Sequence, residues 1–352
     1  MKKPEKVLSV FDKYTKVVDK NIKQTIDDCS DLLMYQMMSY FMGYLDDNLQ
    51  KTTSYGGKRF RPGLCLLFAE YYNCFDEAID VATSLEIFHN FTLIHDDIAD
   101  GDELRRGRQT VWSKWGINHG INTGDAQLIL ASKSLEGLLT RNPELGIRVQ
   151  KFLNQKYLEV AEGQFLDFTY SEMKISDPSI TENNIIDMLG RKSGVLVGAA
   201  TQSAGIIAQV SEKEQERLWD FGYNLGLAYQ LFDDMVSIWG NADISGKDEL
   251  RDIIDKKKTL PIIYLYNNSN KQNSKVLERL YTKKGILNDK EVETVKALLD
   301  KSDTKQFVLQ RANKAVEIVM DSIEKLSLDK NKKTKLIEIT YALLPEAKEM
   351  IA

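Results

Sequence analysis

Two groups of aspartates, far apart in the chain, each sit inside an apolar stretch with helical periodicity. The first is Asp96-Asp97-Ile98-Ala99-Asp100, and the second is Asp233-Asp234 within Leu225 to Trp239. A carboxylate in apolar surroundings is costly to desolvate and needs a compensating partner. Asp96 and Asp100 are one helical turn apart and project from the same face. Three like charges so close repel one another unless a cation neutralises them. Aspartate oxygens are hard donors, which points to Mg²⁺ held through one or two carboxylates per helix together with water and phosphate oxygens. If the two helices face each other, the acids form a cleft that binds a diphosphate through shared metal ions.

The surrounding pattern is helical throughout. Ile87, Phe91, Ile94 and Ile98 form one stripe running into the first acidic group, and Leu225, Ala228, Leu231 and Phe232 do the same before the second. Only 6 prolines occur, mostly outside the long periodic stretches. No alternating β-branched run bounded by turn pairs stands out. The expected fold class is therefore all-α. The 352 residues suit one large domain or two small ones, and with no convincing linker the reading is a single domain over 1–352, a helical bundle around a central substrate cavity. Ser54 to Gly57 is expected to break a helix, and Ser171 to Asn184 and Asn267 to Ser274 to be loops. The Lys-, Glu- and Leu-rich segment after Lys283 is expected to form two or three outer helices.

A net charge of −5 offers no general attraction for nucleic acid or an anionic membrane surface. Cys29, Cys65 and Cys74 lack C-x-x-C spacing and read as thiols of a reducing compartment. No signal peptide is evident, and no stretch reaches the roughly 18 uninterrupted apolar residues of a spanning helix. The expectation is a cytoplasmic protein without stable membrane insertion.

Cationic residues gather beside the acids. Arg105, Arg106 and Arg108 follow the first group through a Gly-flanked turn, Lys58 and Arg61 stand at a Gly-Gly segment, and Lys192-Ser193-Gly194, Lys247 and Lys258-Thr259 form a third set. Surface salt bridges would explain an isolated pair equally well. Three basic clusters flanking acidic ones in an acidic chain suit a metal-bridged polyphosphate, for which arginine is a bidentate partner.

These segments are also familiar as a set. Leu93-Ile94-His95-Asp96-Asp97-Ile98-Ala99-Asp100 with Leu104-Arg105-Arg106-Gly107 resembles the first aspartate-rich motif of the trans-isoprenyl diphosphate synthases, the polyprenyl synthetase family. Gly56-Gly57-Lys58-Arg59-Phe60-Arg61-Pro62 resembles that family's isopentenyl diphosphate-binding segment, and Gly163-Gln164-Phe165-Leu166-Asp167 and Lys192-Ser193-Gly194 resemble its middle motifs. Gly226 to Asp234 resembles the second aspartate-rich motif, followed by Gly246-Lys247, Asp252 and Lys258-Thr259-Leu260-Pro261. The resemblance runs in order from about residue 54 to about 265. It implies an Mg²⁺-dependent prenyltransferase, a likeness to short-chain geranylgeranyl diphosphate synthases, and a homodimer. Asp96 and Asp100 would bind two Mg²⁺ and Asp233 a third, supported by Asp97 and Asp234. Arg105, Lys192, Lys247 and Lys258 would hold the allylic diphosphate, and Lys58, Arg61, His89 and Arg106 that of isopentenyl diphosphate. Gln230, with carbonyl groups near Lys192-Ser193, would face the allylic cation. Apart from the resemblance, His89 reads as a core histidine, and His95 carries no assigned chemistry.

Some positions depart from the family pattern. Ser237 stands where a third aspartate often closes the second motif, Tyr229 where phenylalanine is usual, and Ser193 where threonine is usual. For product length, Phe91 lies five residues before Asp96, about 7.5 Å along the helix, next to the smaller Thr92, with Phe88 deeper. A lone aromatic floor at Phe91 resembles the geranylgeranyl (C20) class, and ordinary core packing is the alternative reading. Farnesyl (C15) or longer products, a terpene cyclase on the same fold, and a non-catalytic partner subunit also stand as alternatives. Lys58, Arg61 and His89 argue against a cyclase, which needs no isopentenyl site. Intact Asp96, Asp97, Asp100 and Asp233 argue against a silent subunit.

Overall fold

The computed structural model describes residues 9–52, 57, 59–240 and 250–345. Lys58 and Lys247, and with them most of the Ser54 to Gly57 segment, lie outside the described residues. The architecture is helical, as the periodicity requires. In order the elements are α1 (Asp12–Asp27), α2 (Leu33–Phe41), α3 (Phe60–Tyr71), α4 (Phe75–Asp100), β1 (Leu104–Arg105), β2 (Arg108–Gln109), α5 (Val111–Trp115), α6 (Ile117–Lys133), α7 (Glu136–Arg141) and α8 (Pro143–Glu172). After them come α9 (Glu182–Leu189), a π-helical turn (Gly190–Gly194), α10 (Val195–Ile207), α11 (Glu212–Trp239), α12 (Arg251–Ile254), α13 (Leu260–Asn268), α14 (Lys271–Thr282), α15 (Asp289–Lys301), α16 (Thr304–Lys325) and α17 (Lys330–Leu343).

The residues divide into two compact units, 1–157 with 199–218, and 158–198 with 219–352. In the first, α4 packs most extensively on α6 and α3. Its apolar stripe explains why: Ile87 and Ile94 are fully buried, and Ile94 joins Met37 and Val111 in a small core with Phe41 and Trp115 against it. Phe88 lies flat on Tyr157, ring centroids 3.8 Å apart. α4 ends where Gly101 takes a left-handed conformation (φ 70°), the usual way a helix closes its last carbonyls. In the second unit, α13 packs against α16, α9 and α14. Among the described residues, the segment after Lys283 forms three helices, α15 beginning with a capping box between Asn288 and Glu291.

Two expectations change. Asn267 to Ser274 is not a loop: α13 runs to Asn268 and α14 starts at Lys271. The Asn270 side chain accepts from the backbone N–H groups of Gln272 and Asn273, so a two-residue break suffices to start a new helix. The loop expected over 171–184 is shorter, because Thr181 caps α9 through Asn184 N–H. The break expected at Ser54 to Gly57 lies outside the described residues except for Gly57; ahead of it, Asp46 Oδ1 holds a turn by accepting from the N–H groups of Asn48 and Gln50.

Close backbone packing in the second unit depends on glycine. A Cβ at Gly163 on α8 would lie 2.6 Å from the backbone nitrogen of Lys192. One at Gly226 on α11 would lie 2.7 Å from the Ser193 carbonyl oxygen. We therefore expect Gly163→Ala to lower stability by about 1–3 kcal/mol through overpacking, despite alanine's better helix propensity. Denaturant titration checks this; equal or higher stability would mean that the turn yields.

Candidate active site

In the first unit, the C-terminal turn of α4 carries the first acidic group. Asp97 is 1% exposed, Asp96 is half-buried and Asp100 is exposed. Arg105 Nε donates to Asp97 Oδ1 at 2.5 Å, and Asp97 Oδ2 is buried without a hydrogen-bond partner among the described residues. Burial pushes the Asp97 carboxyl up to about 6, against the opposing pull of Arg105. Arg105 reaches Asp97 because β1 and β2 form a hairpin, pairing Leu104 with Gln109 and Arg105 with Arg108. Its central residues Arg106 and Gly107 have φ of 53° and 75°, the left-handed pair of a type I′ turn. Thr110 Oγ1 and Trp112 Nε1 both donate to the Asp102 carbonyl and tether the hairpin's return.

A second group of cations lies at the start of α3. Arg61 Nη1 is 3.0 Å from His89 Nε2. Arginine can only donate, so Nε2 accepts and the histidine proton sits on Nδ1. Desolvation, then Arg61 and Arg106, hold His89 well below its ordinary pKa, so it is a neutral acceptor. Arg106 belongs to the same group. Its guanidinium packs where a Cβ on Gly57 would lie, 3.3 Å away. Desolvation first and the Arg59 charge second lower its pKa, although the residue remains solvent-accessible. Cations this close repel one another, and an anion beside them relieves that repulsion.

In the second unit, the middle motifs meet. Lys192 Nζ donates to Asp167 Oδ2 at 2.7 Å, while the adjacent Arg191 turns to Glu162 and Asp187. The π-helical turn carrying Lys192 and Ser193 is closed by Val195 N–H on the Gly190 carbonyl. π-turns inside helices are frequent at functional sites. Ser193 Oγ donates to Gln230 Oε1 at 3.0 Å, and Gln230 Nε2 donates to Asp234 Oδ1 at 2.9 Å. Asp234 is 5% exposed and Asp233 half-buried, the same division as in the first group. Ser237 Oγ donates to the Asp234 carbonyl of its own helix. Lys258 Nζ donates to the Ser171 carbonyl at 2.7 Å, and desolvation followed by Lys256 lowers its pKa. Phe165, Phe168 and Tyr229 are exposed aromatics on the same helices, apolar surface suited to a hydrocarbon.

Among the described residues, no three His, Cys, Asp or Glu side chains could hold a metal ion by themselves. Half-open Asp96 and open Asp100, one turn apart, instead fit Mg²⁺, which binds through one or two carboxylates and completes its shell with water and phosphate oxygens. Two partnerships escaped the sequence reading. The sequence assigns no partner to Asp167, which stands in Gly163 to Asp167, or to Arg59, which stands in the basic run Lys58 to Arg61. For Asp167, the one signal the sequence offers is its place four residues after Gly163, on the same helix face.

The state of His89 has a consequence for stability. In the folded chain His89 resists protonation, whereas in the unfolded chain it titrates near 6.5. As pH falls below that value the unfolded state takes up the proton first, so the folded state loses stability. His89→Gln, which keeps an acceptor for Arg61, is expected to shrink the drop in melting temperature between pH 7 and pH 5. An unchanged drop would show that His89 is not the titrating group.

Comparison with known proteins agrees with this geometry. The polyprenyl synthetase family model matches residues 43–300. A geranylgeranyl diphosphate synthase of Mycobacterium tuberculosis is 32% identical over 266 residues, 75% of this chain and 73% of that protein. A (2E,6E)-farnesyl diphosphate synthase of Mycobacterium bovis is 28% identical over 314 residues, 88% and 86% of the two chains. A crystal structure of a geranylgeranyl pyrophosphate synthase is similar with a TM-score of 0.82 and 32% identity, covering 98% of this chain and 99% of that one. With its ordered motifs and its helical fold, the chain belongs to the polyprenyl synthetase family.

Proposed function

We propose that the protein is a prenyltransferase that condenses isopentenyl diphosphate with an allylic diphosphate, dimethylallyl, geranyl or farnesyl, and releases geranylgeranyl diphosphate (C20) as its main product. The observation that carries this reading is the Arg61–His89–Arg106 group. It would serve as a second anion site beside the aspartates, as required when two diphosphates bind and only one ionises. A cyclase would have no use for it.

Asp96 and Asp100 are the proposed ligands of two Mg²⁺ ions and Asp233 of a third; bound there, the ions would neutralise charge growing on the allylic diphosphate as its carbon–oxygen bond breaks. Arg105, Lys192 and Lys258, with Lys247 from outside the described residues, are the proposed cationic contacts of that diphosphate. Their fixed positions favour the leaving group as its charge grows. Arg61, His89 and Arg106, with Lys58, would hold the isopentenyl diphosphate. Gln230, oriented by Ser193 and Asp234, would present its carbonyl oxygen to the allylic cation, and the exposed aromatics would help keep water away from it. The departing diphosphate is the proposed proton acceptor. Ser237, bonded to its own helix, leaves Asp233 as the ligand of the second motif. No helix among the described residues is long and apolar enough to cross a membrane. We propose a cytoplasmic homodimer of single-domain subunits.

The test is direct. Purified protein with Mg²⁺, isopentenyl diphosphate and an allylic primer is expected to yield an elongated C20 diphosphate, read by mass; cyclised hydrocarbons or no product would refute the reading. Asp96→Ala is expected to fold normally and to lose turnover on the order of a thousandfold.

Product length separates two aromatics. Phe91 is half-buried, with its ring 5.4 Å from Phe88 and 4.9 Å from His95. Phe88 is 1% exposed and stacked on Tyr157. Phe91→Ala is expected to give products longer than C20 with little loss of stability. Phe88→Ala is expected to cost about 3–5 kcal/mol of stability. Unchanged product lengths in Phe91→Ala would remove Phe91 from this role.

A further inference from the structure

We propose that Arg59 is a positioning residue for the isopentenyl diphosphate group, holding Arg61 on His89 through a buried ion network that it makes with Glu86 and Asp19. The inference rests on the function proposed above and adds a residue that contacts neither substrate.

Arg59 stands between two cations assigned to the substrate, yet its side chain is 0% exposed. Its Nε donates to Asp19 Oδ1 at 2.8 Å, Nη1 to Glu86 Oε1 at 2.8 Å, and Nη2 to the Met42 carbonyl at 2.8 Å and Tyr44 OH at 3.2 Å. Tyr44 OH donates in turn to Asp19 Oδ1 at 2.7 Å, and Asn90 Nδ2 to Glu86 Oε1 at 2.9 Å. A lysine has one nitrogen and could not bridge α1, α4 and the 42–44 segment together.

The backbone needs this anchorage. Arg59 has φ 47° and ψ 44° immediately before α3 begins at Phe60, a left-handed conformation that residues other than glycine adopt only when their surroundings hold them there. Two residues later, Arg61 projects from the first turn of α3 to His89. Glu86 and His89 are three residues apart on α4, on one face. Arg59–Glu86 and Arg61–His89 are therefore neighbouring rungs between the start of α3 and one side of α4.

Charge supplies the second argument. Glu86 is 3% exposed and lies one turn from His89. Without Arg59 its carboxylate would be a buried anion beside Arg61 and Arg106, competing with the substrate diphosphate for them. Arg59 neutralises it and leaves the outer cations for the ligand.

The experiment measures isopentenyl diphosphate binding to the full chain by calorimetry, with steady-state kinetics for both substrates. Arg59→Lys is expected to raise the isopentenyl Kd and KM tenfold or more while the allylic KM stays within twofold. Arg59→Met combined with Glu86→Gln removes the unpaired buried charge. It is expected to recover melting temperature relative to Arg59→Met alone without recovering isopentenyl affinity. Isopentenyl affinity within twofold of wild type in the folded variants would overturn the proposal, as would its recovery in step with melting temperature. A wild-type chain that does not bind isopentenyl diphosphate would instead refute the function itself.

Discussion

Adjacent side chains on a helix point about 100° apart, so an apolar helix can bury one of two neighbouring carboxylates only by turning the other outward. Both acidic motifs follow this constraint. Asp97 and Asp234 are buried and each is held by a partner from its own motif, Arg105 in one case and Gln230 in the other. Asp96 and Asp233 are thereby left half-open. A buried carboxylate without such a partner would be strongly unfavourable. The pairing arginine and glutamine therefore stabilise the motif and set its orientation at once.

The same economy recurs around each acid. Asp167 fixes Lys192, Ser193 fixes Gln230, and His89 meets Arg61. In each case a residue of one motif is oriented by a residue distant in sequence. Rigid elements make this possible: the hairpin aims Arg105, the π-helical turn presents Lys192 and Ser193, and Gly163 and Gly226 let helix backbones approach closely. Side chains held this way reorganise little when charge develops on a substrate, which is the source of electrostatic catalysis.

Much of this was legible in the sequence. The all-helical class followed from periodicity, and the ordered motifs led to the family, because residues that touch substrate or metal must have a particular chemistry at a particular spacing. What was not legible depends on contacts across the chain. Arg59 carries no role that the sequence distinguishes; only the fold places Glu86 and Asp19 around it. The bond of the Ser237 hydroxyl to its own helix depends on the fold and not on the motif. Asn267 to Ser274 looked like a loop because its composition is polar, yet one asparagine cap turns most of it into helix. The sequence places Phe88 only as deeper than Phe91; the stacked Tyr157 ring that sets it in the core is a contact of the fold.

The proposed function depends most on the proposal that Asp96, Asp100 and Asp233 bind divalent metal together with a diphosphate rather than as a protein-only cage. Mn²⁺ titration followed by electron paramagnetic resonance, with and without inorganic pyrophosphate, tests it most directly. The account predicts weak Mn²⁺ binding alone and tight binding with pyrophosphate, lost in Asp96→Ala and reduced in Asp233→Ala. Tight binding without pyrophosphate, or pyrophosphate-dependent binding that survives Asp96→Ala unchanged, would contradict it.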